Sequence, residues 1–193
     1  MGPFAEKTDA ELVLGVKQED ARSEQNFEEL VRRHMQKAVQ MAAVVCGDYE
    51  DAKDISQEAF VKAYRALKNF EGKSQFSTWF YRILMNTAKD HFRKKHWLRF
   101  IKWKDTESMQ NFFEKVEDAK SKADSPVLNQ ELGIKITACI QNLPHKQQWV
   151  FMLRFIEGHS LSEIAEMTGM AEGTVKANLH FAVEKFQISM KGG

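Results

Sequence analysis

The chain has 193 residues, 43% of them hydrophobic and 28% charged, with 28 Lys and Arg against 27 Asp and Glu for a formal charge of +1. That length allows one or two domains that bury a core without metal or disulfide staples. No run approaches the roughly 18 apolar residues of a membrane span, and no secretory h-region opens the chain.

Only three prolines and ten glycines interrupt a sequence rich in helix formers, which predicts an all-α fold and disfavours a β sandwich or barrel. In chain order, Thr8-Asp9-Ala10-Glu11 has the spacing of a capping box and predicts a short helix to about Gln18. Apolar Phe27, Leu30, Val31, Met35, Ala38, Val39, Ala42 and Val45 recur at helical steps, and Gly47-Asp48 closes that helix. A second periodic run covers Ala52 to Leu67, with Ile55, Ala59, Phe60, Ala63, Tyr64 and Leu67 on one side. After a break at 69–77, a third helix starts near Ser77, with Trp79, Phe80, Ile83, Leu84 and Thr87 as its buried face. These helices make one bundle ending near His96. Residues 97–126 read as a flexible linker, aromatic and basic at Trp97, Phe100 and Trp103 and closed by Ser125-Pro126. Helices at 127–142, 145–157, 160–168 and 171–190 complete a second domain, so the expected domains are 1–96 and 127–193 around that linker.

The neutral sum hides sharp blocks. Residues 89–104 carry seven cations against Asp90, a net of +6, and residues 105–131 carry seven acids against three lysines, a net of −4. Blocks of opposite sign suggest different partners for different segments. Cys46 and Cys139 are far apart in sequence, as expected of two reduced thiols in a cytoplasmic protein.

The most specific local pattern is Ser160–Phe186. Ser160-Leu161-Ser162-Glu163 is a second capping box, and Leu161, Ile164, Ala165 and Met167 point inward from a short helix. Gly169 then supplies a tight turn, and Val175, Leu179, Ala182 and Phe186 define the buried face of the next helix. Ala165, Gly169 and Val175 fit the helix-turn-helix template. The opposite face carries Gly173, Thr174, Ala177, His180, Phe181 and Glu184, with Lys176 and Lys185 at its margins. It is poor in the cations that supply most DNA affinity, so this domain is expected to bind duplex DNA weakly by itself.

In the first bundle, Asp48, Glu50, Asp51, Asp54 and Glu58 gather at one end of the second helix. They are either a solvated helix start or a docking surface. Asn86, Lys89, Asp90 and Arg93 share helical spacing behind an aromatic-flanked loop, an arrangement suited to single-stranded nucleic acid. Taken alone, Phe70, Phe76, Trp79 and Phe80 are more often core residues.

The strings Asp54-Ile55-Ser56-Gln57-Glu58-Ala59-Phe60, Phe70, and Phe76-Ser77-Thr78-Trp79-Phe80-Tyr81-Arg82-Ile83 with Asn86 resemble region 2 of bacterial extracytoplasmic-function (ECF) sigma factors. Leu143-Pro144, Gly158, Glu163-Ile164-Ala165, Gly169 and Gly173-Thr174-Val175-Lys176 resemble their region 4. The resemblance implies a dissociable RNA polymerase subunit without catalytic residues, metal or cofactor, acting in the cytoplasm on promoter DNA. It implies docking on core RNA polymerase through Asp54, Gln57, Glu58 and Phe60. It implies capture of the melted minus-10 element by Phe70, Lys73, Ser74, Phe76, Trp79, Asn86, Lys89 and Arg93. Glu172, Gly173, Thr174, Lys176, Ala177, His180 and Phe181 would then read the minus-35 element. An anti-sigma factor, membrane-bound for many relatives, is a further expected partner, and no small-molecule substrate is expected. The chain departs from the family where relatives carry Ser at the N-cap of the recognition helix and arginines beyond its Lys; here stand Ala171, Ala177, Asn178, Phe181 and Val183. Two other readings compete with this one. An ordinary two-domain helix-turn-helix regulator leaves the Asp54–Phe60 and Phe76–Asn86 strings unexplained, and a membrane anchor at Trp97–Lys104 has too short an apolar face. His91 and His96 do not share a helix face, which disfavours a metal site.

Overall fold

The computed structural model describes residues 7–18, 22–99 and 127–191, for 94–99 and 127–131 the backbone alone. Every regular element among the described residues is helical: α1 (Asp9–Lys17), α2 (Ser23–Cys46), α3 (Tyr49–Ala66) with a 3-10 turn at Leu67–Asn69, α4 (Phe76–Arg99), α5 (Val127–Gln141), α6 (His145–Phe155), α7 (Leu161–Thr168) and α8 (Glu172–Lys191). The linker expected at 97–126, with Phe100 and Trp103, lies outside the described residues except where α4 continues to Arg99. The chain divides into two compact units, Met1–Ala42 with Ala52–Lys102 and Ala43–Asp51 with Trp103–Gly193.

In the first unit, α1 starts at a complete capping box. The Thr8 hydroxyl accepts from the Glu11 amide at 3.3 Å, and the Glu11 carboxylate accepts from the Thr8 amide at 2.6 Å. Its inward face, Leu12, Val13 and Val16, is buried, and the helix packs on the 3-10 turn and on α4. The α2–α3 corner, whose residues are grouped with the second unit, forms as the sequence suggests: Gly47 adopts φ +68°, and the Asp48 carboxylate accepts from the Asp51 amide at 2.8 Å. Leu30, Ile55, Phe80, Tyr81 and Leu84 are the large side chains at the centre. Three expected positions differ. Tyr64 is exposed at the rim of α3, where its ring meets Phe27 at 4.8 Å, and the buried face of α4 is centred on Phe80, Tyr81, Leu84 and Ala88, leaving Trp79 and Ile83 half-buried. Ring edges favour burial, but a phenol at a rim keeps its hydroxyl wet at no desolvation cost.

In the second unit, α6, α7 and α8 pack on one another and α5 packs on α6 and α8. Ile140, Val150, Met152, Leu153, Ile164 and Val175 fill its centre. Pro144 opens α6 with the extended backbone that proline favours at a helix start, and the Gln148 amide donates to the Gln141 carbonyl at 2.9 Å, tying α6 to the end of α5. The Ser160 capping box starts α7, and Gly169 ends it in the left-handed region at φ +67°. That left-handed residue turns the chain into α8.

Candidate functional site

The acidic end of α3 divides by burial. Asp54, Gln57 and Glu58 are exposed, and Glu58 pairs with Lys62 at 2.9 Å. Phe60 is only 4% exposed and stacks on Phe80 with ring centroids 4.2 Å apart, so it belongs to the core beneath that face.

The loop between the 3-10 turn and α4 has buried ends and an exposed tip. Phe70 (7% exposed) lies 4.8 Å from the Trp79 ring, and Phe76 (3% exposed) stacks on Phe80 at 5.9 Å. Between them, Gly72 turns the chain at φ +73°, Lys73 is exposed and paired with Glu71, and Ser74 is half-buried. The sequence leaves Phe70 and Phe76 open between base contact and core; here both rings are packed inside. Trp79 is half-buried above them, offering part of its ring to solvent.

Asn86, Lys89 and Arg93 are exposed along α4, and Arg93 approaches Asp90 at 3.4 Å. At 3.6 residues per turn they fall within about 60° of one another, with Trp79 on the same stripe. Arg82 is exposed on that stripe too. It was not among the expected site residues, although its spacing of four to Asn86 and seven to Lys89 carries the signal. One helix thus presents an indole edge, an amide and three cations in a row, beside a loop tip held by an aromatic base. Cations over a stacking platform suit the backbone and faces of an unpaired strand.

On α8, Glu172, Gly173, Thr174, Lys176, Ala177, His180 and Phe181 are all exposed, with the Phe181 ring 50% exposed and 5.8 Å from the His180 ring. Val175 and Ala182 are fully buried on the opposite face, and Phe186 packs on Phe151 at 4.9 Å. Ala171 occupies the N-cap; its carbonyl accepts from the amides of Thr174 and Val175 at 2.8 and 3.0 Å, but its methyl side chain offers no acceptor. The surface has the shape of a groove-reading helix with little positive charge.

Family models match in the same order. Sigma-70 region 2 matches residues 30–98 and Sigma-70, region 4 matches residues 134–186. The chain is 34% identical over 184 residues to the RNA polymerase sigma-H factor of Pseudomonas aeruginosa, covering 94% of this chain and 93% of that one. It is 33% identical to the ECF RNA polymerase sigma factor SigW of Bacillus subtilis, covering 86% of this chain and 89% of that one. Among solved structures, the sigma factor RpoE in complex with the anti-sigma factor NepR from Bartonella quintana shares the fold, with a TM-score of 0.63 at 20% identity over 86% of this chain and 97% of that one.

Proposed function

The chain belongs to the ECF sigma factor family, and from that premise we propose that it binds core RNA polymerase, recognises promoter DNA and promotes its melting to start transcription. In this reading residues 1–96 act as region 2, 97–126 as the linker and 127–193 as region 4. Asp54, Gln57 and Glu58 dock on polymerase, with Phe60 fixing their helix from inside the core. Lys73, Ser74, Trp79, Asn86, Lys89 and Arg93, joined by Arg82, take the unstacked minus-10 strand, and buried Phe70 and Phe76 hold the loop. The exposed face of α8 reads the minus-35 element. The observation that carries the reading is the solvent-facing stripe of Trp79, Arg82, Asn86, Lys89 and Arg93 on α4, inside the residues that match Sigma-70 region 2. An anti-sigma factor is the regulatory partner we propose, by likeness to a relative captured with one. Its site of action is the cytoplasm, with polymerase.

The test is reconstitution. Purified chain and core polymerase together should start defined transcripts that neither starts alone, and sequencing those transcripts identifies the promoter. Asn86→Ala should slow open-complex formation while leaving polymerase affinity unchanged, and Asp54→Ala should do the reverse. Tight, sequence-specific duplex binding by the chain without polymerase would instead favour an ordinary helix-turn-helix regulator.

A further inference from the structure

The helix α1 lies outside both family-matched stretches, yet both ends of the 70–76 loop lead back to it. At one end, the Lys17 ammonium, last residue of α1, donates a hydrogen bond to the Phe70 carbonyl, 53 residues away. Phe70 closes the 3-10 turn: its amide donates to the Leu67 carbonyl at 3.1 Å, and its extended backbone sends the chain into the loop. A lysine at a helix C-terminus is ordinarily a solvated partner for that helix's own carbonyls. Here it reaches instead to the first residue of the loop.

At the other end, Phe76 begins α4 and its ring lies 5.2 Å from that of His34. His34 Nε2 in turn sits 2.6 Å from Asp9 Oδ2, in the first turn of α1. Asp9 also accepts from Arg33 at 3.0 Å, so the imidazole faces a carboxylate already held by a guanidinium. The helix is itself fixed to α2: the Ser23 hydroxyl donates to the Val16 carbonyl at 2.9 Å, and Gly15 lies so close to buried Asn26 that an added Cβ would come within 2.4 Å of its amide nitrogen.

We infer that α1 is the brace of the strand-capturing loop, with Lys17 and the Asp9–His34 pair as positioning residues that fix the two ends of residues 70–76. The inference rests on the reading that this loop and α4 capture the melted strand. A rigid loop matters there because ordering it at the moment of capture would subtract from binding. Lys17 touches no DNA in this scheme; it acts through the Phe70 carbonyl.

The experiment uses the full chain reconstituted with core polymerase on the promoter that its own transcripts define. Open-complex rate on duplex promoter, affinity for a single-stranded minus-10 oligonucleotide, polymerase affinity and thermal midpoint are measured for Lys17→Met, Lys17→Arg, Asp9→Asn and Asn86→Ala. The expected result is that Lys17→Met slows open-complex formation and weakens oligonucleotide binding about tenfold, the scale of one charge-assisted hydrogen bond. Polymerase affinity stays within about twofold, Lys17→Arg restores both strand readouts, and Asp9→Asn moves in the same direction as Lys17→Met. A wild-type rate for Lys17→Met beside a slow Asn86→Ala overturns the brace and leaves the strand-capture reading standing. A wild-type rate for Asn86→Ala overturns that reading and the brace with it. A loss in Lys17→Met that follows its thermal midpoint, or that falls equally on polymerase affinity, makes Lys17 structural only and overturns the inference. Lys17→Gln, which keeps a neutral donor, should fall between the two and carries the comparison if Lys17→Met does not fold.

Discussion

Glu29 on α2 is a carboxylate with only 10% of its side chain exposed, and it survives there because two guanidiniums surround it. Arg32 donates to both of its oxygens at 2.7 and 2.6 Å, and Arg33 donates to one at 2.7 Å. The hydrogen bonds from Arg32 first, then Arg33, outweigh desolvation and lower the Glu29 pKa from its ordinary 4.5 to about 2. Asp9 is shifted downward too, chiefly by its hydrogen bond with His34. A carboxylate whose folded pKa is depressed stabilises the fold fully above its unfolded pKa and loses that contribution as pH falls through the folded value. Stability against denaturant should therefore fall as pH drops from 4.5 to about 2, and Glu29→Gln should flatten that part of the profile while lowering stability at neutral pH. An unchanged slope in the variant would show that Glu29 is not the coupled group. Gly15 makes a second residue-level prediction. An alanine methyl there meets the Asn26 amide at 2.4 Å, inside a buried contact, so Gly15→Ala should cost about 1–3 kcal/mol in denaturant unfolding despite alanine's better helix propensity.

At the scale of the helix, α8 shows what a missing cap leaves open. The capping boxes at Thr8–Glu11 and Ser160–Glu163 both form, whereas α8 begins after Ala171 with no side-chain acceptor. Ala171→Ser should stabilise the second unit by about 0.5–1 kcal/mol, read as a raised denaturation midpoint with an unchanged denaturant slope. No gain would mean that the Ala171 backbone cannot place a serine oxygen over the first turn. Local rules made this much legible from the residues alone: the two capping boxes, the left-handed Gly47 and Gly169, and the Val175–Ala182 face all depend on neighbours within a few positions. The exposed stripe on α4 was half legible, since periodicity finds Asn86, Lys89 and Arg93 and would have found Arg82. What periodicity could not decide was which aromatics are inside. Phe70 and Phe76 flank a loop, where no helical period speaks, and only their packing against Trp79 and Phe80 places them in the core, whereas the period of α3 already turns Phe60 to its apolar side. Nor does any local pattern reveal that Lys17 reaches Phe70 or that Asp9 meets His34, because those partners are brought together by the packing of α1.

At the scale of the whole molecule, near-neutral charge coexists with an expected polyanionic partner because the cations are not spread evenly. The stripe on α4 holds Arg82, Lys89 and Arg93, whereas the exposed face of α8 brings Lys176 and Lys185 at its margins and Lys191 in its last turn, with Glu172 and Glu184 among them. Duplex affinity follows the number of phosphates neutralised, each adding about 0.9 to the slope of log affinity against log salt. With Lys176 and Lys185 as the cations flanking the reading positions of α8 and Lys191 out in the last turn, the chain alone should bind a minus-35 duplex with a slope of about −2, and weakly. The holoenzyme should bind the same promoter far more tightly, because polymerase supplies the remaining phosphate contacts. Ala177→Arg, which places a guanidinium in the middle of the exposed face, should steepen the slope of the isolated chain by about one and raise affinity for all duplexes alike. Filter binding or fluorescence anisotropy over a salt series measures both. A slope near −5 for the unmodified chain would mean that this domain carries its own phosphate clamp outside α8. Promoter affinity would then not depend on polymerase, and the low charge of the recognition helix would need another explanation.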